Sequence, residues 1–332
     1  MAQSSDLGLK ETQNDRKVGF ISHLPKAFIL IGPCIFLLLL LSIDTQTIVK
    51  DLLKIELGTI ALLLPLVLTD LLIRSLKWRI IVNSLHYHIS VLFTVRLSLI
   101  GIYTGLITPG RVGELAKVIY LEAKGIPKLE GASSVMIDRT IDVLVLLALS
   151  SGSMAAFTFL GFGSMISGVI LVLVPAVTLI LLILIMYKTG IPSWLARQLP
   201  IVSEVRLRLL SLKIQSIGTR SFVLATFAGV AVWIVIGLEG MVVASGLGIS
   251  LSVGFWILAM PLVTIAEILP ISVWGLGTRD LIVVYLFSFA SIRMELAIVF
   301  SLAYFTLTYL IPGLFGMVFS FFYPMTEKNG LG

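Results

Sequence analysis

Apolar and polar positions along the chain fall into long blocks, not into a short alternation. Continuous apolar stretches predict membrane-spanning segments at roughly 27–43, 57–76, 141–160, 164–187, 222–246 and 296–322. Between Asp142 and Lys188 lie 45 residues without Asp, Glu, Lys or Arg. One span takes about 20 residues, so this run predicts two spans, with Gly161-Phe162-Gly163 as the turn between them. Backbone groups in hydrocarbon have to be satisfied within their own segment, which makes each span helical. Nothing resembles the short alternating strands of a membrane β-barrel. Two more apolar regions, Ile89–Ala123 and Ile249–Ser291, are interrupted midway. The first break is Thr108-Pro109-Gly110-Arg111-Val112-Gly113, and the second runs from Leu269-Pro270 to Gly275-Leu276-Gly277. Proline and paired glycines do not fit a helix interior, so each region predicts a helix–break–helix hairpin whose arms are half-spans or tilted full spans. The expected fold class is all-α: a polytopic helical membrane protein with six full spans and two broken-helix hairpins.

The order of these pieces repeats. Ile89 to Pro109 resembles Ile249 to Pro270 in length and pattern. Each stretch then meets a glycine-containing break, an acid (Glu114 or Asp280) and an apolar arm ending near Gly125-Ile126 or Ser291-Ile292. Repeat 1 would cover about 27–160 and repeat 2 about 164–322, flanked by polar tails at 1–26 and 323–332. Three net crossings per half would invert the second half relative to the first, an arrangement that places a site where the breaks meet. The alternative is chance similarity among apolar segments. In 192–220, Leu195, Leu199, Val202, Val205, Leu209 and Leu212 recur at helical spacing among basic residues. That pattern fits either an amphipathic surface helix or a solvated loop.

Composition agrees with the pattern: 58% of residues are hydrophobic, 13% are charged, and mean hydropathy is +1.08. A soluble domain carries about 25% charged residues. The net charge of +6 is scattered between spans, which points to topology and anionic lipid and argues against a nucleic-acid partner. Basic residues gather in the N-terminal tail, around Arg74, Lys77 and Arg79, and through 188–220. The positive-inside rule then puts both termini in the cytoplasm of a cell-membrane protein. The single cysteine, Cys34, reads as a packing residue.

Ionisable residues within apolar segments are costly, and each is a functional candidate. Arg111 lies at the first break and Glu114 just after it. Either Arg111 and the free N–H groups of Val112 and Gly113 hold an anionic headgroup, or Arg111 pairs with Glu114 and pins the loop. Asp138 and Asp142 share a helical face, and Arg139 is spaced to pair with Asp142. That cluster reads equally as a purely structural one. Glu267, Arg279 and Asp280 flank the second break. Glu239 lies deep in the fifth span as a proton or counter-ion site, or as a bond to a neighbouring helix. Arg74 and Trp78 read as interface anchors. The sequence has no Walker A loop and no His/Cys metal spacing, so no cofactor or metal is expected and the chain reads as a non-enzyme.

Several of these residues occur together in a known order: Arg74-x-x-x-Trp78, Thr108-Pro109-Gly110-Arg111-Val112-Gly113-Glu114, Asp138-Arg139-x-x-Asp142, then Leu269-Pro270-Ile271 with Gly275-Leu276-Gly277-Thr278-Arg279-Asp280. This series resembles the lysylphosphatidylglycerol synthase transmembrane-region family, also called flippase-like proteins, over about residues 25–322. Members often carry Glu where this chain has Asp138 and Asp280. The resemblance implies lipid handling: a translocase for a lipid with an anionic headgroup, polyprenyl-phosphate-linked or aminoacylated. The soluble aminoacyltransferase domain of bifunctional members is not expected in this chain. Because other members accompany glycosyltransferases, the alternative is a non-transporting membrane partner of a glycosyltransferase or lipid-modifying enzyme. An intramembrane lipid-modifying enzyme using Glu114 or Glu239 as base is the third reading.

Overall fold

The computed structural model describes residues 50–53, 55–108, 113–159, 218–268 and 275–322, together with positions 37, 38 and 41. The tails, the segment 164–187, the stretch 192–217, and most of the segment 27–43 lie outside the described residues, as do 109–112 and therefore Arg111. All regular structure among the described residues is helical.

Among the described residues nine α-helices follow in order: α1 Leu57–Ser84, α2 Val91–Leu106, α3 Ala116–Ala123, α4 Lys128–Phe159, α5 Thr219–Gly246, α6 Val253–Ile268, α7 Thr278–Phe289, α8 Met294–Phe305 and α9 Ile311–Phe322. A π-helical turn, Thr306–Leu310, joins α8 to α9 without a break. Among the described residues, four helices are long and apolar enough to cross a membrane: α1, α4, α5 and the continuous Met294–Phe322. The 16-residue arms α2 and α6 would each reach about 24 Å, short of the ~30 Å hydrocarbon core.

Two helices extend beyond their apolar stretches. The expected span 57–76 continues to Ser84, so Arg74, Lys77 and Arg79 belong to α1 and not to a loop. No proline or glycine interrupts 76–84, and Lys77 and Trp78 each have 1% relative exposure. The expected span 141–160 begins earlier, at Lys128, which brings Asp138 and Arg139 inside α4.

The two hairpins are framed alike. Both boundaries of α5 and α6 lie 162 positions after those of α1 and α2: 219 against 57, 246 against 84, 253 against 91, 268 against 106. Ser90 and Ser252 each precede the first arm and accept the N–H three residues on, from Phe93 and Phe255, at 3.3 Å. Beyond the breaks the spacing becomes 166. Gly125 and Ser291 both take positive φ, 82° and 56°, and the Ile126 and Ile292 amides bond back to Leu121 and Phe287. These are the left-handed turns that end α3 and α7. The helices α4 and α8 then start at 128 and 294.

Packing between the halves is reciprocal. Helix α1 lies against α5, α2 against α9, and α6 against α4. Against α2, Gly316 of α9 is pressed so closely that a Cβ there would fall 2.0 Å from the Leu99 carbonyl oxygen. At the corresponding place in the other pair, Ser150 of α4 donates to the Pro261 carbonyl of α6 at 3.1 Å. Residue 261 lies 162 after 99, and 316 lies 166 after 150. The same contact therefore occurs twice, with the halves exchanging roles. The α1–α5 pair is antiparallel: Gly246 at the end of α5 abuts Thr59 at the start of α1, where a Cβ would come within 2.6 Å of the threonine methyl. An aromatic series fills the second half: Trp256 with Phe287 and Phe300, then Phe300 with Tyr304, centroids 4.9–5.9 Å apart. Along α1, Leu62, Leu64, Leu68 and Leu72 point outward.

Candidate functional site: two buried charge networks

In the first half, three elements bring charge to one place. Helix α1 supplies Lys77, whose stem is packed among buried residues. Helix α4 supplies Asp138, Arg139 and Asp142 over little more than one turn. The 3₁₀ turn at 113–115 and α3 supply Glu114 and Lys117. Lys77 Nζ lies 2.9 Å from Asp138 Oδ1 and also pairs with Asp142. Arg139 pairs with Glu114 and lies 3.8 Å from Asp142 Oδ2. Lys117 is 3.4 Å from Glu114 and sits over the Trp78 ring at 4.9 Å. The indole N–H of Trp78 donates to Ser134 Oγ at 3.2 Å. Its burial corrects the interface-anchor reading: Trp78 is a wall of the network. Near its outer edge, Arg74 is held by Asp70 at 2.8 Å.

Three cations (Lys77, Lys117, Arg139) thus meet three acids (Glu114, Asp138, Asp142), as burial of charge requires. The network is graded in exposure. Side chains of Lys77 and Asp138 are 2% and 6% exposed, while those of Asp142 and Arg139 are 25% and 35% exposed. Arg139 and Asp142 therefore form its accessible edge. A guanidinium at such an edge has donors for a phosphate oxygen pair.

The Thr-Pro-Gly-Arg-x-Gly-Glu motif builds this edge partly through its first and sixth residues. Thr108 Oγ1 donates to the Thr104 carbonyl at 2.8 Å and accepts the Gly113 N–H at 2.7 Å. A Cβ at Gly113 would fall 2.0 Å from the Thr104 oxygen, so only glycine brings Glu114 this close to α2. The Gly113 N–H is consequently committed to Thr108, and the expectation that it would face a headgroup does not hold. Arg111 and Val112 lie outside the described residues. Glu114 takes Arg139 and Lys117 as partners across the break.

The second half carries the other four candidates, and three of them meet. Arg279 Nε donates to Ser301 Oγ at 2.8 Å, its Nη2 lies 3.1 Å from Asp280 Oδ1, and its Nη1 lies 4.0 Å from Glu267. Ser301 also donates to Asp280, and the guanidinium sits over the Phe305 ring at 4.8 Å. Asp280 Oδ2 caps its own helix by accepting the Gly277 N–H at 2.8 Å, where Gly277 takes a φ of 82°. Thr278 reaches back to the Ala266 carbonyl at 3.1 Å. That carbonyl is 162 positions after Thr104, the carbonyl beside Gly113. Glu239 stands apart, accepting from the Tyr304 hydroxyl at 3.3 Å.

Lys77, Lys117, Ser301 and Tyr304 were not among the candidates. The uninterrupted helical sequence through Ser84 was the available signal for Lys77. For Lys117 it was the i,i+3 spacing from Glu114. Ser301 and Tyr304 lie in an apolar helix with no local mark of their role.

Residues 28–316 match the family described as lysylphosphatidylglycerol synthase TM region. The chain belongs to this family. No curated protein matches the chain. Membership in the lysylphosphatidylglycerol synthase TM region family, with four span-length apolar helices, makes this a multi-pass membrane protein with a lipid-related role. Thr108, Gly113, Glu114, Asp138, Arg139 and Asp142, which build the first-half network, all lie within the matched residues.

Proposed function

We propose that the protein translocates a membrane lipid with a phosphate-bearing headgroup and is not an enzyme. The observation that carries this reading is the accessible edge of the first-half network. Arg139 is a third exposed, and its partners Glu114 and Asp142 are held by two lysines as well. A headgroup phosphate can replace a carboxylate at Arg139 while Lys117 and Lys77 keep the two acids neutralised. The inverted repeat belongs to the same proposal. Reciprocal packing of α2 on α9 and α6 on α4, about an antiparallel α1–α5 pair, fits a two-fold axis perpendicular to the helices, in the membrane plane. The cell membrane with both termini cytoplasmic is the placement that fits this arrangement and the basic residues of the tail and of 188–220.

The test is reconstitution in vesicles carrying a fluorescent polyprenyl phosphate or an aminoacylated phosphatidylglycerol. Wild-type protein should move one of them between leaflets. Arg139→Ala should reduce transfer at least about tenfold, equivalent to ~1.4 kcal/mol, and Arg139→Lys should restore only part, since charge returns without the planar fork. Wild-type protein that moves neither lipid, or Arg139→Ala protein that transfers as well as wild type, would overturn the proposal.

A further inference from the structure

The two halves place unlike chemistry at one equivalent position. Residue 239 lies 162 after 77, and residue 304 lies 166 after 138. Where the first half has the Lys77–Asp138 ion pair, the second has Glu239 facing Tyr304 at 3.3 Å. Glu239 is 2% exposed and Tyr304 3%. Only one carboxyl oxygen of Glu239 meets the phenol. The other, Oε1, is buried with no hydrogen-bond partner. Each helix packed on α5 brings ionisable groups to the neighbourhood. Helix α1 brings Asp70 and Arg74, which act on Glu239 across the helix pair while bound to each other at 2.8 Å. Helix α8 brings Tyr304, on which Tyr309 of the π turn and Glu267 of α6 also act. From α4, Asp142 acts on Arg74.

An ionised carboxylate at this depth costs several kcal/mol unless its lone pairs find donors. Here one oxygen has none, the other has a single phenol, and the Arg74 guanidinium on the packed α1 is engaged by Asp70. A protonated carboxyl carries no such charge and needs no cation. We propose that Glu239 is a proton-binding site and that Arg74 is a counter-ion shared between two acids. In the arrangement described, Asp70 holds Arg74 at 2.8 Å, while Glu239 keeps its proton. In the alternative arrangement Glu239 gives its proton up to water and Arg74 turns from Asp70 to the Glu239 carboxylate. One proton leaves to water, and the new carboxylate charge is met by Arg74. Because Arg74 sits on α1 and Glu239 on α5, the exchange would shift the contact between the halves. Coupling of this exchange to lipid movement rests on the translocase reading; the proton site itself does not.

Infrared difference spectroscopy separates the two claims. The full chain is placed in phosphatidylglycerol–phosphatidylethanolamine bilayers and titrated upward in pH. Wild type should show a carboxylic-acid C=O band that disappears on titration, and Glu239→Gln should lack it. Arg74→Gln should need about one pH unit more alkaline conditions to lose the band, a tenfold change in proton affinity. Arg74→Lys should leave it nearly in place. Tyr304→Phe keeps the packing shape and gives a second folded variant. It removes the phenol that donates to the carboxylate and should shift the band in the same direction as Arg74→Gln. A band unchanged in Glu239→Gln, or unmoved in both Arg74→Gln and Tyr304→Phe, would overturn the proton site. In vesicles with fluorescent polyprenyl phosphate, a pH gradient should accelerate wild-type transfer but not transfer by Glu239→Gln. If wild type moves no lipid while the band behaves as expected, the translocase reading fails and the proton site stands.

Discussion

The halves share the lengths of their first two helices, the serine caps of their first arms and their helix-ending turns, yet differ in how they treat charge. In the first half six ionised groups form a network that is buried at Lys77 and open at Arg139. In the second, Arg279, Asp280, Glu267 and Glu239 are all at or below 5% exposure. The cation also changes origin. Glu114 draws its arginine from the neighbouring helix α4, whereas Asp280 uses the adjacent residue of its own helix. At the position equivalent to Arg139, 166 residues on, the second half has Phe305, and the Arg279 guanidinium stacks on that ring. A shared backbone plan thus supports an accessible ionic edge in one half and a closed, aromatic-lined one in the other. The first arrangement suits exchange of partners with a ligand. The closed Arg279–Asp280–Glu267 cluster of the second suits a fixed strut.

This contrast can be broken from several sides. The largest effect should come from Lys77→Met. It leaves the buried Asp138, and Asp142 beside it, without their main cation, and breaking such a buried pair costs about 3–5 kcal/mol. Thermal unfolding in detergent should show a strong loss, and adding Asp138→Asn should recover part of it. Gly316→Ala should follow at about 1–3 kcal/mol, because its methyl must displace the Leu99 carbonyl. Its counterpart Ser150→Ala removes only one hydrogen bond to Pro261 and should cost about 1 kcal/mol. Arg139→Ala should change stability least, by about 1 kcal/mol or less, since the side chain is at the accessible edge. If Arg139→Ala proves as destabilising as Lys77→Met, the distinction between the open edge and the buried base of the network is wrong.

Much of this plan was legible in the sequence because it is carried by local signals. Pro109, Gly113, Pro270 and Gly277 mark the two breaks, and the acids behind them stand where the arms resume. The end of α1 was misjudged for a physical reason. Arg74, Lys77 and Arg79 look like a polar loop when counted as charges, but Lys77 is neutralised by acids 61 and 65 residues away. No window along the chain contains that pairing. The equivalence of Lys77 with Glu239 was likewise hidden, because residue types differ and only the helix registers agree. The graded exposure of Arg139 and Asp142 depends on how α3 and α4 pack, which hydrophobic pattern does not encode.

The central claim is that the halves are related by inversion across the membrane. It is tested most directly by the accessibility of the two turns that follow α1 and α5. In a Cys34→Ser background, single cysteines are placed at His86 and Ser250 and exposed to a membrane-impermeant thiol reagent. The account predicts that Ser250→Cys reacts from outside intact cells, whereas His86→Cys reacts only after the membrane is opened. Labelling of both positions from the same side would contradict it.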